Sequence, residues 1–133
     1  MSTLAVGQEL APHTFIINRA KLLAYANASG DQNPIHQDET FAQSVGLENV
    51  IAHGMFTMAL AGRYVSDIAG SAAVKEFSAR FIKPIVVPEN VDVELIVNGK
   101  VLELNENLAK IEITATCGDV KVLGMAKAVI SLS

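Results

Sequence analysis

The sequence predicts an α+β fold in which an antiparallel sheet curves around one very apolar helix. Three observations predict it. Gly54–Ala69 places hydrophobic residues around most of a helical circumference. After Gly70-Ser71 the pattern switches to alternation, the period of a half-buried strand. The alternating runs are long and joined by short turns, which makes an antiparallel meander. No repeat, low-complexity segment or linker interrupts the chain, so residues 1–133 read as one domain.

Taken in order, Thr14-Phe15-Ile16-Ile17 reads as a short strand. Asn18 caps a helix running to about Ala28, and Ser29-Gly30 ends it. Asp31–His36 reads as a loop, because Pro34 disfavours helical geometry at Asn33. Asp38 caps a short helix over Glu39–Val45, and Gly46 stops it. In Gly54–Ala69 only Arg63, Ser66, Asp67 and Gly70 form a thin polar stripe, so the helix is expected to be buried. Val74–Ile82, Val91–Leu104, Leu108–Cys117 and Val120–Leu132 follow as strands, with Pro84 and Pro88 bracketing a connection. Gly99 predicts a bulge or bend, or, with Asn98, a hairpin turn. The edges of such a sheet call for cover, which dimerisation supplies.

Composition narrows the function. Half of the 133 residues are hydrophobic and 18% are charged. The mean hydropathy of +0.34 is high for a small domain, and such an excess goes into an oligomer interface or a ligand tunnel. No apolar run reaches the roughly 18 residues of a membrane span. Met1–Ala5 lacks the basic and apolar regions of a signal peptide. The net charge of −4, without a basic run, argues against nucleic acid. Cys117 is the single cysteine and reads as core; with no internal disulfide the chain fits a reducing cytoplasm. One cysteine and three histidines show no structural-zinc spacing, so no metal is expected. No glycine-rich phosphate loop is present, and no cofactor is expected.

Two stretches carry chemistry. In Ser29-Gly30-Asp31-Gln32-Asn33-Pro34-Ile35-His36-Gln37-Asp38 a carboxylate and an imidazole lie five residues apart across a turn. Such a pair can share one water, take a proton from it and return a proton elsewhere. Turn preference alone also accounts for Gly30-Asp31-Gln32-Asn33-Pro34. In Ile51-Ala52-His53-Gly54-Met55 the Gly54 N–H opens the apolar helix. It has no intrahelical partner, lies at the positive end of the helix dipole and can polarise a thioester carbonyl. A plain helix start explains Gly54 as well. Together the two stretches equip a site to add water across, or remove it from, a double bond conjugated to a carbonyl. Met55, Met58, Ala59 and Gly62 read as core, with the small residues able to leave room for an acyl chain. Arg63, Arg80 and Lys83 are either solvated charge or contacts for phosphates or an acidic carrier.

Tyr25-x-x-x-Ser29-Gly30-Asp31-Gln32-Asn33-Pro34-Ile35-His36-Gln37-Asp38 followed by Ile51-Ala52-His53-Gly54-Met55-x-Thr57-Met58 resembles the motif of the MaoC-like, (R)-specific enoyl-CoA hydratase family. Within it, Val45-Gly46-Leu47 and these runs are similar to catalytic B subunits of mycobacterial-type (3R)-hydroxyacyl-ACP dehydratases. The resemblance extends over nearly the whole chain, including Arg80-Phe81-x-Lys83-Pro84-Ile85. It implies a hot-dog fold, normally dimeric. It implies Asp31 and His36 as the catalytic pair, Asn33 as the residue orienting it and Gly54 as the oxyanion donor. His53 is assigned to shaping the loop. His53, Met55, Met58, Ala59, Gly62, Arg80 and Lys83 are the candidate substrate contacts. The activity implied is reversible hydration of trans-2-enoyl thioesters of CoA or acyl carrier protein to (3R)-3-hydroxyacyl thioesters. The alternatives are a hot-dog thioesterase, or a non-catalytic acyl-binding subunit of a heterodimer. The chain is expected to act as a homodimer, or with a non-catalytic hot-dog partner.

Overall fold

The computed structural model describes residues 4–132; Met1–Thr3, part of the stretch scanned for a leader, and Ser133 lie outside it. Strand β1 (Glu9–Ile17) is followed by α1 (Arg19–Ser29), a 3₁₀ turn (Pro34–His36), α2 (Glu39–Ser44) and α3 (Gly54–Ala69). A 3₁₀ turn at Ser71–Ala73 leads into β2 (Val74–Phe81). Then come β3 (Val93–Asn105), β4 (Leu108–Cys117), β5 (Val120–Lys121) and β6 (Leu123–Ser131). The sheet is antiparallel in the order β1-β3-β4-β6-β2, with β5 against β4. This is the hot-dog arrangement. Among the described residues no helix is long and apolar enough to cross a membrane.

The core sits between the sheet and one side of α3. Alternation delivers Leu95, Val97 and Val101 from β3, Ala109, Ile111, Ile113 and Ala115 from β4, and Ala126, Ala128 and Ile130 from β6 to the buried face. Each larger side chain among these contributes about 1.5–3 kcal/mol of burial. From α3 they meet Ala61, Tyr64 and Val65. The Tyr64 hydroxyl donates to the Ala11 carbonyl at 2.7 Å, which ties the helix to the edge strand β1. The caps of α1 form as the sequence predicts. Asn18 Oδ1 accepts from the Lys21 N–H, and Gly30 takes the left-handed conformation (φ 83°) that lets the chain leave the helix.

Four expectations need correction. The helix α3 is not buried all round. Met55, Ala59, Arg63 and Asp67, four apart, form an open stripe, and Met55 is 59% exposed. One sheet covers one side of a helix, so apolar residues on the far side stay open in a single subunit. Strand β1 begins at Glu9 rather than Thr14, because an edge strand paired only with β3 tolerates Pro12. The last strand is divided at Val122, with Met125 in positive φ (48°), so Val120–Lys121 pairs separately. The bulge beside Gly99 is carried by β1, where Leu10↔Gly99 gives way to His13↔Val97, and Gly99 itself makes no hairpin turn. Strand β3 runs through it, and its register shift against β4 lies between Val101 and Glu103.

Gly99 is required for packing instead. A Cβ there would lie 3.1 Å from Leu10 Cδ1, 3.2 Å from Ile111 Cγ2 and 3.2 Å from Tyr64 Cε2. Gly99→Val should therefore destabilise the fold by about 1–3 kcal/mol through overpacking. Urea unfolding measures it; a variant as stable as the wild type would show that Leu10 and Tyr64 repack freely.

Candidate active site

The local sequence builds the 31–36 turn by short-range hydrogen bonds. The Asp31 N–H donates to Ser29 Oγ at 3.2 Å, and the Asn33 N–H donates to Asp31 Oδ1 at 3.2 Å. Asn33 Oδ1 in turn accepts the Ile35 N–H at 3.1 Å and caps the 3₁₀ turn that carries His36. Both carboxylate and amide thus act as turn formers, and the turn points Asp31 and His36 toward each other. Asp31 Oδ2 lies 3.9 Å from His36 Nε2. That is too long for a direct hydrogen bond and short enough for one water to bridge.

The two partners differ in exposure. The Asp31 side chain is 51% exposed and that of His36 is 8% exposed. His36 Nδ1 lies 2.7 Å from the Ile51 carbonyl oxygen. A carbonyl can only accept, so Nδ1 carries a proton and Nε2 is the ring nitrogen that faces Asp31. The Ile51 carbonyl is the functional group that sequence reading missed. A main-chain oxygen leaves no mark in residue type.

Ile51 is held by neighbours on both sides. Its N–H donates to the Ile35 carbonyl at 3.1 Å. The Ala52 N–H donates to Ile85 O at 2.9 Å, and the Val87 N–H to Val50 O at 2.7 Å. The Pro84–Pro88 connection is therefore a short pairing partner of the site loop. Beyond it, α3 starts at Gly54, whose N–H has no intrahelical acceptor. Gly54 and His36 border the same cleft, of about 310 Å³, whose other walls include Thr57, Phe81, Ile82 and Val122. The Phe81 ring lies over Gly54, 3.3 Å from where a Cβ would stand.

The expected substrate contacts are only partly brought together. Lys83 lines the cleft and is exposed. Arg80 is exposed on β2, and Arg63 pairs with Asp67 at 3.5 Å along α3. Met55 and Ala59 face outward, Met58 and Gly62 are half-buried, and none of the four lines the cleft. From α3 the cleft takes Gly54 and Thr57 instead. Cys117 is half-buried, and burial pushes its thiol up, which leaves it a poor nucleophile.

His53 lies behind the pair, 1% exposed. Its ring stacks on that of His36 with centroids 3.8 Å apart and planes 23° apart. Its Nε2–H donates to the Asp31 carbonyl at 3.1 Å, while Nδ1 is buried without a hydrogen-bond partner among the described residues. Burial pushes the imidazole below its usual pKa; the Asp31 carbonyl opposes this and His36 adds to it. Asp31, His36 and His53 place donor atoms within 4.8 Å of one another, the spacing of a metal cluster. Their geometry does not suit one. Imidazole binds metals through in-plane lone pairs, and two stacked rings direct these side by side rather than to a common point.

The comparisons with known proteins place the chain in a family. Residues 3–116 match the family described as MaoC like domain. The chain belongs to the MaoC-like family. It is 40% identical over 72 residues, 54% of its length, to 3-hydroxyacyl-thioester dehydratase X of Mycobacterium tuberculosis, and covers 25% of that protein. A solved MaoC-like dehydratase superposes with a TM-score of 0.94 at 34% identity, over 98% of this chain and 41% of that one. An (R)-hydratase from A. caviae involved in PHA biosynthesis superposes with a TM-score of 0.85 at 26% identity, over the full length of both chains. The chain thus spans about a quarter of the length of the curated dehydratase it matches.

The lowered pKa of His53 has a consequence for stability. The folded chain favours the neutral ring, so the unfolded chain binds the proton more readily. Stability from this group is complete above the ordinary imidazole value of 6.5 and falls as the pH drops below it. Between pH 7.5 and 5.0 the wild type should lose more stability in urea than His53→Gln does. Equal losses would show that the folded chain accepts the proton on His53 freely.

Proposed function

We propose that this chain catalyses reversible hydration of trans-2-enoyl thioesters to (3R)-3-hydroxyacyl thioesters. One observation carries the reading: Asp31 Oδ2 and His36 Nε2 stand 3.9 Å apart beside a cleft that Gly54 borders. In the hydration direction His36 works as the neutral ring, so a water between the two groups donates one proton to each and turns an oxygen lone pair outward. Asp31 takes a proton as the oxygen adds to the β-carbon. The electron pair of the double bond moves toward the carbonyl, and the Gly54 N–H holds the enolate oxygen. The α-carbon then receives a proton from the same pair. Dehydration is the reverse. Addition of both parts of water from one side makes the hydration syn. Asn33 orients the pair through the turn it caps.

The substrate is a thioester of CoA or of acyl carrier protein, in fatty-acid metabolism. Lys83 at the cleft edge is placed to meet the phosphates or the acidic carrier. A second hot-dog subunit, a copy of this chain or a non-catalytic relative, covers the open face of α3.

Crotonyl-CoA tests the reading. Loss of the enoyl absorbance without free thiol is the expected result; release of free thiol would establish a thioesterase, and no change would leave an acyl-binding subunit. Asp31→Asn and His36→Ala should each lower kcat by roughly 10²-fold or more with the fold intact by circular dichroism. Near-native hydration by either variant would sink the assignment.

A further inference from the structure

We infer that His53 is the positioning residue that sets the distance between Asp31 and His36. The inference rests on the hydration reading and assigns a further residue to it. Asp31 sits on a loop whose residues 30–34 are all exposed. Its hydrogen bonds to Ser29 and Asn33 are local and shape the loop without anchoring it to the domain. Gln32 bonds to the end of α1 and Ile35 to the Ile51 N–H, and the long-range bond on Asp31 itself is the His53 Nε2–H on its carbonyl, across 22 residues of sequence. The same ring supports His36 from behind at 3.8 Å.

One side chain therefore touches both members of the pair, through two different interactions. It is itself enclosed. His53 is the N-cap residue of α3, 1% exposed, with Tyr25 packed against its ring at 4.8 Å and Phe56 packed at a tilt on Tyr25 at 5.0 Å. The main chain two residues earlier, at Ile51, holds His36 Nδ1. Segment 51–53 thus serves as a single reference for Asp31 and His36. His53 does not line the cleft, so it acts through the pair and not on the substrate. The sequence motif supplies Tyr25 and His53 together with the pair, and the structure gives them this common task.

Three substitutions separate the two interactions. His53→Phe keeps a stacking ring and loses the donor. His53→Gln keeps a donor and loses the ring. His53→Leu loses both. With crotonyl-CoA, His53→Leu should lower kcat by about tenfold or more, because misplacement of reacting groups by a fraction of an ångström is costly. KM should stay within about threefold, since no substrate contact is removed. His53→Phe and His53→Gln should each recover part of the loss. Three results would overturn the inference: a folded His53→Leu with kcat within about twofold of wild type, a KM that rises as much as kcat falls, or losses that follow melting temperature across the three variants. If His53→Leu does not fold, full kcat in both other variants overturns it equally. Asp31→Asn, assayed beside them, separates the two levels. Its retention of activity defeats the hydration reading, whereas its loss with no effect at His53 defeats this inference alone.

Discussion

The site depends on the main-chain pairing of Val50–Ala52 with Ile85–Val87. Two hydrogen bonds, from Ala52 N–H to Ile85 O and from Val87 N–H to Val50 O, fix the segment that precedes α3. Its middle residue, Ile51, then presents its N–H to Ile35 and its carbonyl to His36 Nδ1. The turn carrying the imidazole is thereby locked in place and in tautomer by one residue's peptide groups. Arg19 reinforces the arrangement from the start of α1, donating to Val87 O at 2.7 Å and to Asn49 Oδ1 at 2.9 Å. The loops around the site are thus crosslinked mainly through backbone atoms, which a side-chain substitution does not readily remove.

The apolar helix has two tasks, and they explain its composition. One side supplies core contacts to the sheet through Ala61, Tyr64 and Val65. The N-terminal end supplies Gly54 and Thr57 to the cleft. Neither task requires Met55 or Ala59 to be apolar. Their exposure in a single subunit is what a second subunit would remove, and it matches the excess hydropathy of the whole chain.

Much of this was legible in the sequence where the determinants are local. Asn18 and Gly30 delimit α1 through their own side chain or lack of one, and alternation placed Leu95, Val97, Ile111 and Ile113 inward. The approach of Asp31 to His36 was legible only in part: the spacing and Pro34 allow the two side chains to converge but suit an ordinary turn equally, and the resemblance of the longer motif decided between them. What was not legible depends on distant partners. Gly99 reads as a turn signal, yet its lack of a side chain serves Leu10, Tyr64 and Ile111. Thr57 was passed over for Met58 because a helix apolar on nearly every side does not mark which residue faces the cleft. His53 was read as a loop residue and candidate substrate contact, because its stack on His36 depends on how the two loops meet.

The unequal exposure of the pair follows from the work each has under the hydration reading. A half-exposed carboxylate on a surface loop can exchange protons and water with solvent between turnovers. A buried imidazole cannot do so as readily, and its value is directional: one nitrogen committed to Ile51, the other aimed at Asp31. Burying both groups would cost the carboxylate its hydration, and an imidazole 3.9 Å away makes no direct hydrogen bond to offset that. Exposing both would free the ring to rotate and lose the gap that suits one water. The fold keeps the rigid member inside and the exchangeable member outside, and the span between them is the dimension that the chemistry needs held constant.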